Sequence, residues 1–305
     1  MIFGRCYLTL ALLKSVLLLK LTEITRVSAL TKEQFLKDYY QPQKPVVMER
    51  AITGWPAYAK WDLDYMAKVA GEKIVPLYDD RPVQHKDGFN EPHAKMKMAD
   101  YLALLKREPT NYRIFLWNIL KEVPQLQTDF EYPDFGLRFM KGLPMMFFGG
   151  KDAHTFMHHD IDLGNIFHFH FAGQKKVILF AQDQTKFLYK VPHSLITHEG
   201  IDFSNPDYGQ WPALQRAHGH ITHLNHGEVL YMPEGYWHYM KYLTPGFSMS
   251  LRSMPKRPVH LAKAIYNVAI MRHYDVLMRK LKGQAWIDQK NKKAIERTQK
   301  FLDSV

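Results

Sequence analysis

Thr155-Phe156-Met157-His158-His159-Asp160, taken with Pro233-Glu234-Gly235-Tyr236-Trp237-His238 further along the chain, is the pair of segments that decides the fold. His158 and Asp160 lie two residues apart, so on an extended strand their side chains leave the same face. A third donor, His238, then comes from a distant strand and closes one triangular face of an octahedron. Two imidazoles and one carboxylate that leave three positions open form the donor set of a non-haem Fe(II) site. In a chain with 16 histidines an H-x-D triplet arises easily by chance, so its surroundings matter. Asn225-His226-Gly227-Glu228-Val229-Leu230-Tyr231-Met232-Pro233 reads as a turn feeding a short apolar strand that Pro233 stops. His238 follows in the aromatic setting Tyr236-Trp237-His238-Tyr239, and a rigid strand end is where a metal ligand belongs.

Outward from these segments the pattern is mixed. Residues 30–39 offer Thr31 as an N-cap with Gln34 three residues on, and place Phe35, Leu36 and Tyr39 on one helical face. Residues 44–49 and 112–118 read as strands, 62–70 and 98–106 as helices. From Met145 onward short β-like runs dominate, separated by Gly, Pro, Asp and Asn. Asn165-Ile166-Phe167-His168-Phe169-His170-Phe171 alternates strictly, so His168 and His170 share one face of a strand. His218, His220, His223 and His226 are spread over a strand and a turn and are not expected to form a second metal site. Residues 182–216 are too long for a plain turn and are expected to form an ordered lid around Trp211. In the tail, Leu261, Ala264, Ile265, Val268, Ala269, Met271, Tyr274, Leu277 and Met278 recur at near-helical spacing; Gly283 breaks the run and a second helix follows.

These blocks carry a resemblance. Lys44-Pro45-Val46-Val47, Trp55-Pro56-Ala57, the H-x-D triplet, Gly173-Gln174-Lys175-Lys176, Asp202-Phe203-Ser204-Asn205-Pro206 and the stretch from Gly227 to His238 keep the order and rough spacing of the JmjC-type cupin family of Fe(II)/2-oxoglutarate dioxygenases. The likeness is strongest to the asparaginyl hydroxylase that acts on the hypoxia-inducible factor, and it covers about residues 24 to 285. The resemblance implies a mainly β fold with helices. A double-stranded β-helix of the cupin or jelly-roll kind (core about 112–254, domain 23–254) is wrapped by N-terminal α/β elements and followed by a C-terminal helical pair (255–305). It also implies Fe(II) held by His158, Asp160 and His238, with no catalytic residue beyond these ligands. The co-substrate 2-oxoglutarate is then bound through its distal carboxylate by Lys175 and Thr155. A carboxylate needs a cation at fixed reach, and strand alternation lets Lys175 point inward while Lys176 is solvated. Register across a short hairpin with Lys175 places His168 in the barrel near the co-substrate; the competing reading is a core histidine bonded to a backbone carbonyl. Two positions depart from the family. Phe115 stands where a tyrosine hydroxyl is expected, at a cost of about 1.5 to 3 kcal/mol in co-substrate binding. Arg252 stands where an asparagine is expected, which places a cation near the mouth of the site.

Composition agrees with a large packed core: 305 residues, 46% of them apolar and 13% aromatic. The single cysteine, Cys6, excludes an internal disulfide framework and fits a reducing cytoplasm. Residues 1–22 read as an apolar, basic extension; Val27-Ser28-Ala29 resembles a cleavage site, but Lys14 splits the apolar run, so a secretory signal or membrane span is disfavoured and a targeting role for residues 1–29 stays open. From Arg252 onward thirteen Lys and Arg face four acids, concentrating nine of the eleven net positive charges in the tail. Such a patch attracts acidic partners, nucleic acid or ribosomes among them. The resemblance implies a protein or peptide substrate and a second copy of the chain docked through the tail helices; the alternative is that these helices pack against the chain's own barrel. The function implied is hydroxylation or demethylation of a protein or other polar substrate; the alternative is a non-catalytic metal-binding cupin module for ligand sensing or protein interaction.

Overall fold

The computed structural model describes residues 19–82, 84 and 91–304, so most of the expected N-terminal extension, with Cys6, lies outside the described residues. Strands β1 (Lys20–Glu23) and β2 (Arg26–Val27) lead into helix α1 (Lys32–Phe35), which ends in the π-helical turn Leu36–Tyr40. Strand β3 (Val46–Met48), helices α2 (Pro56–Lys60) and α3 (Leu63–Ala70), the ribbon β4 (Ile74–Leu77) and β5 (Ala94–Lys97), helix α4 (Met98–Arg107), strand β6 (Arg113–Asn118) and helix α5 (Ile119–Glu122) follow. The chain then runs through β7 (Met145–Gly149), β8 (His154–His158), β9 (Asn165–Ala172), β10 (Lys175–Phe180), β11 (His218–Leu224), β12 (Val229–Met232), β13 (Trp237–Tyr242) and β14 (Gly246–Ser253). Helix α6 (Pro258–Tyr266) passes through the π-helical turn Asn267–Met271 into α7 (Arg272–Lys282), and α8 (Gln284–Leu302) follows Gly283. Local chemistry starts the helices: Thr31 and Gln34 form a reciprocal capping box on α1, and the Asp62 carboxylate accepts the Tyr65 N–H on α3.

Two sheets make the barrel, a five-stranded one in the order β1-β11-β10-β13-β8 and a seven-stranded one in the order β2-β3-β12-β9-β14-β7-β6. Alternation along single strands shows how they stack. Val177 and Leu179 of β10 join Ile166, Leu230, Met232 and Met240 in a cluster that draws on both sheets, so these positions face the interior. Ile178 and Phe180 face the other way, into a second cluster with Trp211, Leu214 and Trp237 beneath the 182–216 segment. Phe167, Phe169 and Phe171 of β9 face the N-terminal layer, packing with Phe35, Trp55 and Trp61. Both faces of each central strand are thus covered, which is why these strands read as continuous apolar runs. The fold is a mainly β, jelly-roll type barrel with helices, as the sequence predicts.

Three expectations change in detail. β9 and β10 are not a hairpin: β9 pairs with β12 and β14, β10 with β11 and β13. The Gly173-Gln174 turn crosses from one sheet to the other, with Gly173 at φ +76° and so close to the Pro245 carbonyl that a Cβ would meet it at 2.3 Å. Strand β1 straddles the boundary expected at residue 22, pairing parallel with β11 while Leu21 packs under the 182–216 segment. That segment covers the outer face of the five-stranded sheet, and only its 191–199 part reaches the cavity mouth.

Glu234, in the turn between β12 and β13, is buried and accepts the backbone N–H of Lys256 at 2.5 Å and of Arg257 at 3.4 Å, with His260 Nδ1 at 3.1 Å. One carboxylate therefore clasps the first turn of α6 to the barrel. Helix α8 packs back on residues 182–187, with Phe301 5.5 Å from Phe187 between ring centroids. No described helix is long and apolar enough to cross a membrane.

Candidate active site

Register aligns the interior positions. Leu179 of β10 lies opposite His238, Val177 opposite Met240 and Lys175 opposite Tyr242, while His238 lies opposite His158 on β8. His158, Asp160 and His238 each offer a donor atom, all within 4.8 Å of one another. Each histidine Nε2 is 3.8 Å from Asp160 Oδ1. Among the described residues this is the only such group of three or more, so the β11 histidines form none.

The backbone fixes the state of both imidazoles. His158 Nδ1 lies 2.8 Å from the Phe156 carbonyl and His238 Nδ1 3.2 Å from the Tyr236 carbonyl; a carbonyl only accepts, so Nδ1 carries the proton and the Nε2 lone pair faces the donor triangle. Burial pushes His238 down to about 3 and lowers His158 as well, so both are neutral at physiological pH, the form that binds a metal. Burial alone would raise Asp160, but Arg252 and the histidines outweigh it and hold the carboxylate down to about 2. Two neutral imidazoles and one carboxylate whose Oδ1 faces both Nε2 atoms fit a divalent cation.

Arg252 is a correction. It is buried, not at the mouth, and its Nη2 lies 3.0 Å from Asp160 Oδ2 while Nη1 donates to Asp162 at 3.1 Å. A guanidinium in a low-dielectric interior is held by carboxylates, so its charge is spent on fixing Asp160.

Lys175 lies on the same interior face, towards the other end of β10, and is 1% exposed. Its ammonium donates to Ser248 Oγ at 2.8 Å and to His168 Nε2 at 3.1 Å, and sits 4.2 Å from the centroid of Tyr242. Burial pushes the ammonium well below the usual lysine range, and burial together with Lys175 keeps His168 neutral. Among the described residues no carboxylate lies within ion-pair distance of Lys175, and an ammonium has a third donor to spend. His168 lines the cavity, and Lys175 lies just behind it. The two meet across the sheets, not along a hairpin. His170, by contrast, is saturated by Ser248 and the Gly173 carbonyl, a core histidine.

Thr155 and His158 are three residues apart and would leave opposite faces of a regular strand, yet both line the cavity. A bulge resolves this: Met240 pairs with Thr155 two residues after His238 pairs with His158, so β8 carries one extra residue there. Thr155 Oγ1 accepts the Met240 N–H at 3.2 Å. Phe115 also lines the cavity, its ring 4.1 Å from Tyr78, in a bulge of β6. The whole cavity is about 360 Å³ and opens past Val191 and Ile196 to α7 and α8, where Asp275 and Lys290 stand. Sequence reasoning missed Tyr242, Ser248 and the buried Arg113. Tyr242 was reachable, because 238, 240 and 242 share a face; Ser248 depends on strand order, which no local pattern carries.

Fold and donor set define a cupin-class barrel with a candidate metal centre. The chain belongs to the cupin-like domain family, whose model matches residues 32–279. It is 29% identical over 234 residues to the lysine-specific demethylase JMJ30 of Arabidopsis thaliana, covering 74% of this chain and 54% of that protein. It is 26% identical to lysine-specific demethylase 8 of Xenopus tropicalis, over 75% of this chain and 52% of the relative. Against human tRNA wybutosine-synthesizing protein 5 it is 26% identical over 242 residues, 70% of this chain and 72% of the relative. The chain spans about half the length of the two demethylases it matches. The likeness shown is thus to the broad family.

Proposed function

We propose that this chain is an Fe(II)- and 2-oxoglutarate-dependent oxygenase that hydroxylates or demethylates a protein or other polar substrate. One observation carries the reading: a neutral His-His-carboxylate triangle and a buried ammonium lacking an acidic partner serve the same barrel interior. In this reading His158, Asp160 and His238 hold the iron, which when bound supplies the one-electron chemistry that activates dioxygen. Arg252 orients Asp160. Lys175 offers its third N–H to the distal carboxylate of 2-oxoglutarate, with His168 and Ser248 holding the ammonium in place and the Thr155 hydroxyl adding a second donor. Asp160 acts as a ligand and not as a general base, since a carboxylate held so far below its usual range is a poor proton acceptor. The apolar walls contributed by Phe115, Phe147 and Met240 exclude water from the reacting side.

The names of the relatives support a protein or RNA substrate without choosing between them. We further propose that residues 255–305 form a dimerisation segment, since Val259, Ile265, Val268, Leu277 and Leu281 are exposed. The competing reading, a metal-binding module without turnover, draws support from Phe115, which lacks the expected hydroxyl. Succinate formation from 2-oxoglutarate by the iron-loaded protein, absent in Asp160→Ala, decides between them. Bound iron with no succinate would leave the module.

A further inference from the structure

A second cavity of about 180 Å³ lies between the loop after the 3-10 turn at residues 182–187 and the junction of α6 and α7. His159, His193, Ser194, Lys190, Lys263 and Asn267 line it, and among the described residues no acidic side chain does. His159, His193 and Ser194 also line the main cavity, so the two share a wall one residue from the candidate metal ligands.

The polar groups here are only partly used. Lys190 Nζ donates to the carbonyls of Val191 and Ser194, each at 3.0 Å, which leaves one of its three N–H groups. Lys263 Nζ donates to Gln182 at 3.0 Å and keeps two. Among the described residues neither lysine has a carboxylate within ion-pair distance. The nearby acid, Asp275, is taken by Lys290, Arg279 and the Trp286 N–H. His159 is 1% exposed, its Nδ1 faces the Asp160 carbonyl at 3.1 Å, and its Nε2 is buried with no partner. Since the carbonyl claims the Nδ1 proton, Nε2 presents a lone pair that a protonated oxygen can fill.

We propose that this cavity binds a small oxyanion with the chemistry of a phosphate group, held between the Lys190 and Lys263 ammoniums against His159. Water alone would satisfy the hydrogen bonds but not the charge: cations gathered in a low-dielectric cavity repel one another until an anion joins them. Lys190 records that repulsion, pushed down to about 8 by burial and by Lys263, Arg297 and Lys290. A volume of about 180 Å³ exceeds one phosphate group, so room remains for the group's attachment. The inference stands apart from the iron-dependent reading and is tested without iron.

Calorimetric titration of the full chain with inorganic phosphate, and separately with adenosine monophosphate, decides the matter. Saturable binding is expected, weakened roughly tenfold or more in Lys263→Met and in Lys190→Met, since each removes a charge-assisted hydrogen bond. Lys292→Met, a change at a solvated lysine, should leave it intact, and Lys263→Gln covers the case in which Lys190→Met fails to fold. Adenosine monophosphate binding at least tenfold tighter than phosphate would assign a phosphate carried on a larger ligand; equal affinities would assign a free anion. No saturable binding by the wild type, or binding undiminished in both Lys263 variants, would overturn the site.

Discussion

At one end of the barrel interior Asp160 is flanked by His158, His238 and Arg252; at the other Lys175 meets only neutral groups, His168, Ser248 and the Tyr242 ring. The first end has its charges balanced by side chains before anything binds. The second keeps a buried cation uncompensated, at a cost of several kcal/mol that a purely structural interior would have shed. The contrast teaches that burial has different meanings at the two ends. Paired charges set geometry, whereas the unpaired one is where the proposed function seats its anion.

The sharpest way to break this contrast is to remove the triangle. Asp160→Ala and His238→Ala should each lose Fe(II), because two remaining donors hold a labile divalent ion poorly. Elemental analysis after mild chelation reads the result, and full retention in both variants would dismiss the assigned ligands. At the opposite end, Lys175→Ala should weaken 2-oxoglutarate binding by about 3 to 5 kcal/mol, against little change for Lys176→Ala. Lys175→Met should at the same time raise the melting temperature of the ligand-free protein, since it removes an uncompensated charge. A lowered melting temperature would show that Lys175 is paired structurally after all. The sign of the pH dependence follows: only the ammonium pairs with a carboxylate, so affinity is fully present below the depressed Lys175 pKa and falls as pH rises through it.

A smaller effect is expected one shell out. Arg252→Leu should lower iron affinity about 10- to 100-fold by releasing Asp160 from its fixed orientation, with the ligands themselves intact. Iron affinity unchanged in Arg252→Leu would reduce the guanidinium to a packing role. The smallest effect on the interior belongs to the tail. Ile265 and Val268 are 61% and 47% exposed, so Ile265→Glu or Val268→Glu should leave both ends of the cavity untouched and shift a dimer toward monomers. Light scattering that finds a wild-type monomer would remove the proposed seam.

The sequence made one end more legible than the other. His158 and Asp160 follow from a spacing of two, although β8 ends at His158 and Asp160 lies just beyond it, and the caps at Thr31 and Asp62 are local signals. Lys175 faces inward as alternation predicts and His168 lies beside it as predicted, but across the sheets, and Ser248 joins them from a strand that no local pattern points to. Whether Gly173-Gln174 turns within a sheet or between sheets depends on strand order, and that depends on pairings about sixty residues apart, such as Leu179 with His238. Thr155 needed a bulge that no periodic reading contains. Arg252 lies deeper than the resemblance implies because Asp160 and Asp162, both on the loop after β8, give its guanidinium carboxylate partners inside the barrel.

The clasp made by Glu234 has a consequence for the order of assembly. During synthesis the strand carrying His238 leaves the ribosome before Lys256, Arg257 and His260, the residues that Glu234 holds. Until they emerge, the turn that leads into β13 has a carboxylate with nothing to grip, and the barrel's last pairings form without that anchor. The tail thus works as a latch set after the vessel is built, and a nascent chain stalled before residue 255 would carry all three ligand side chains while the turn leading into the strand of His238 is not yet fastened.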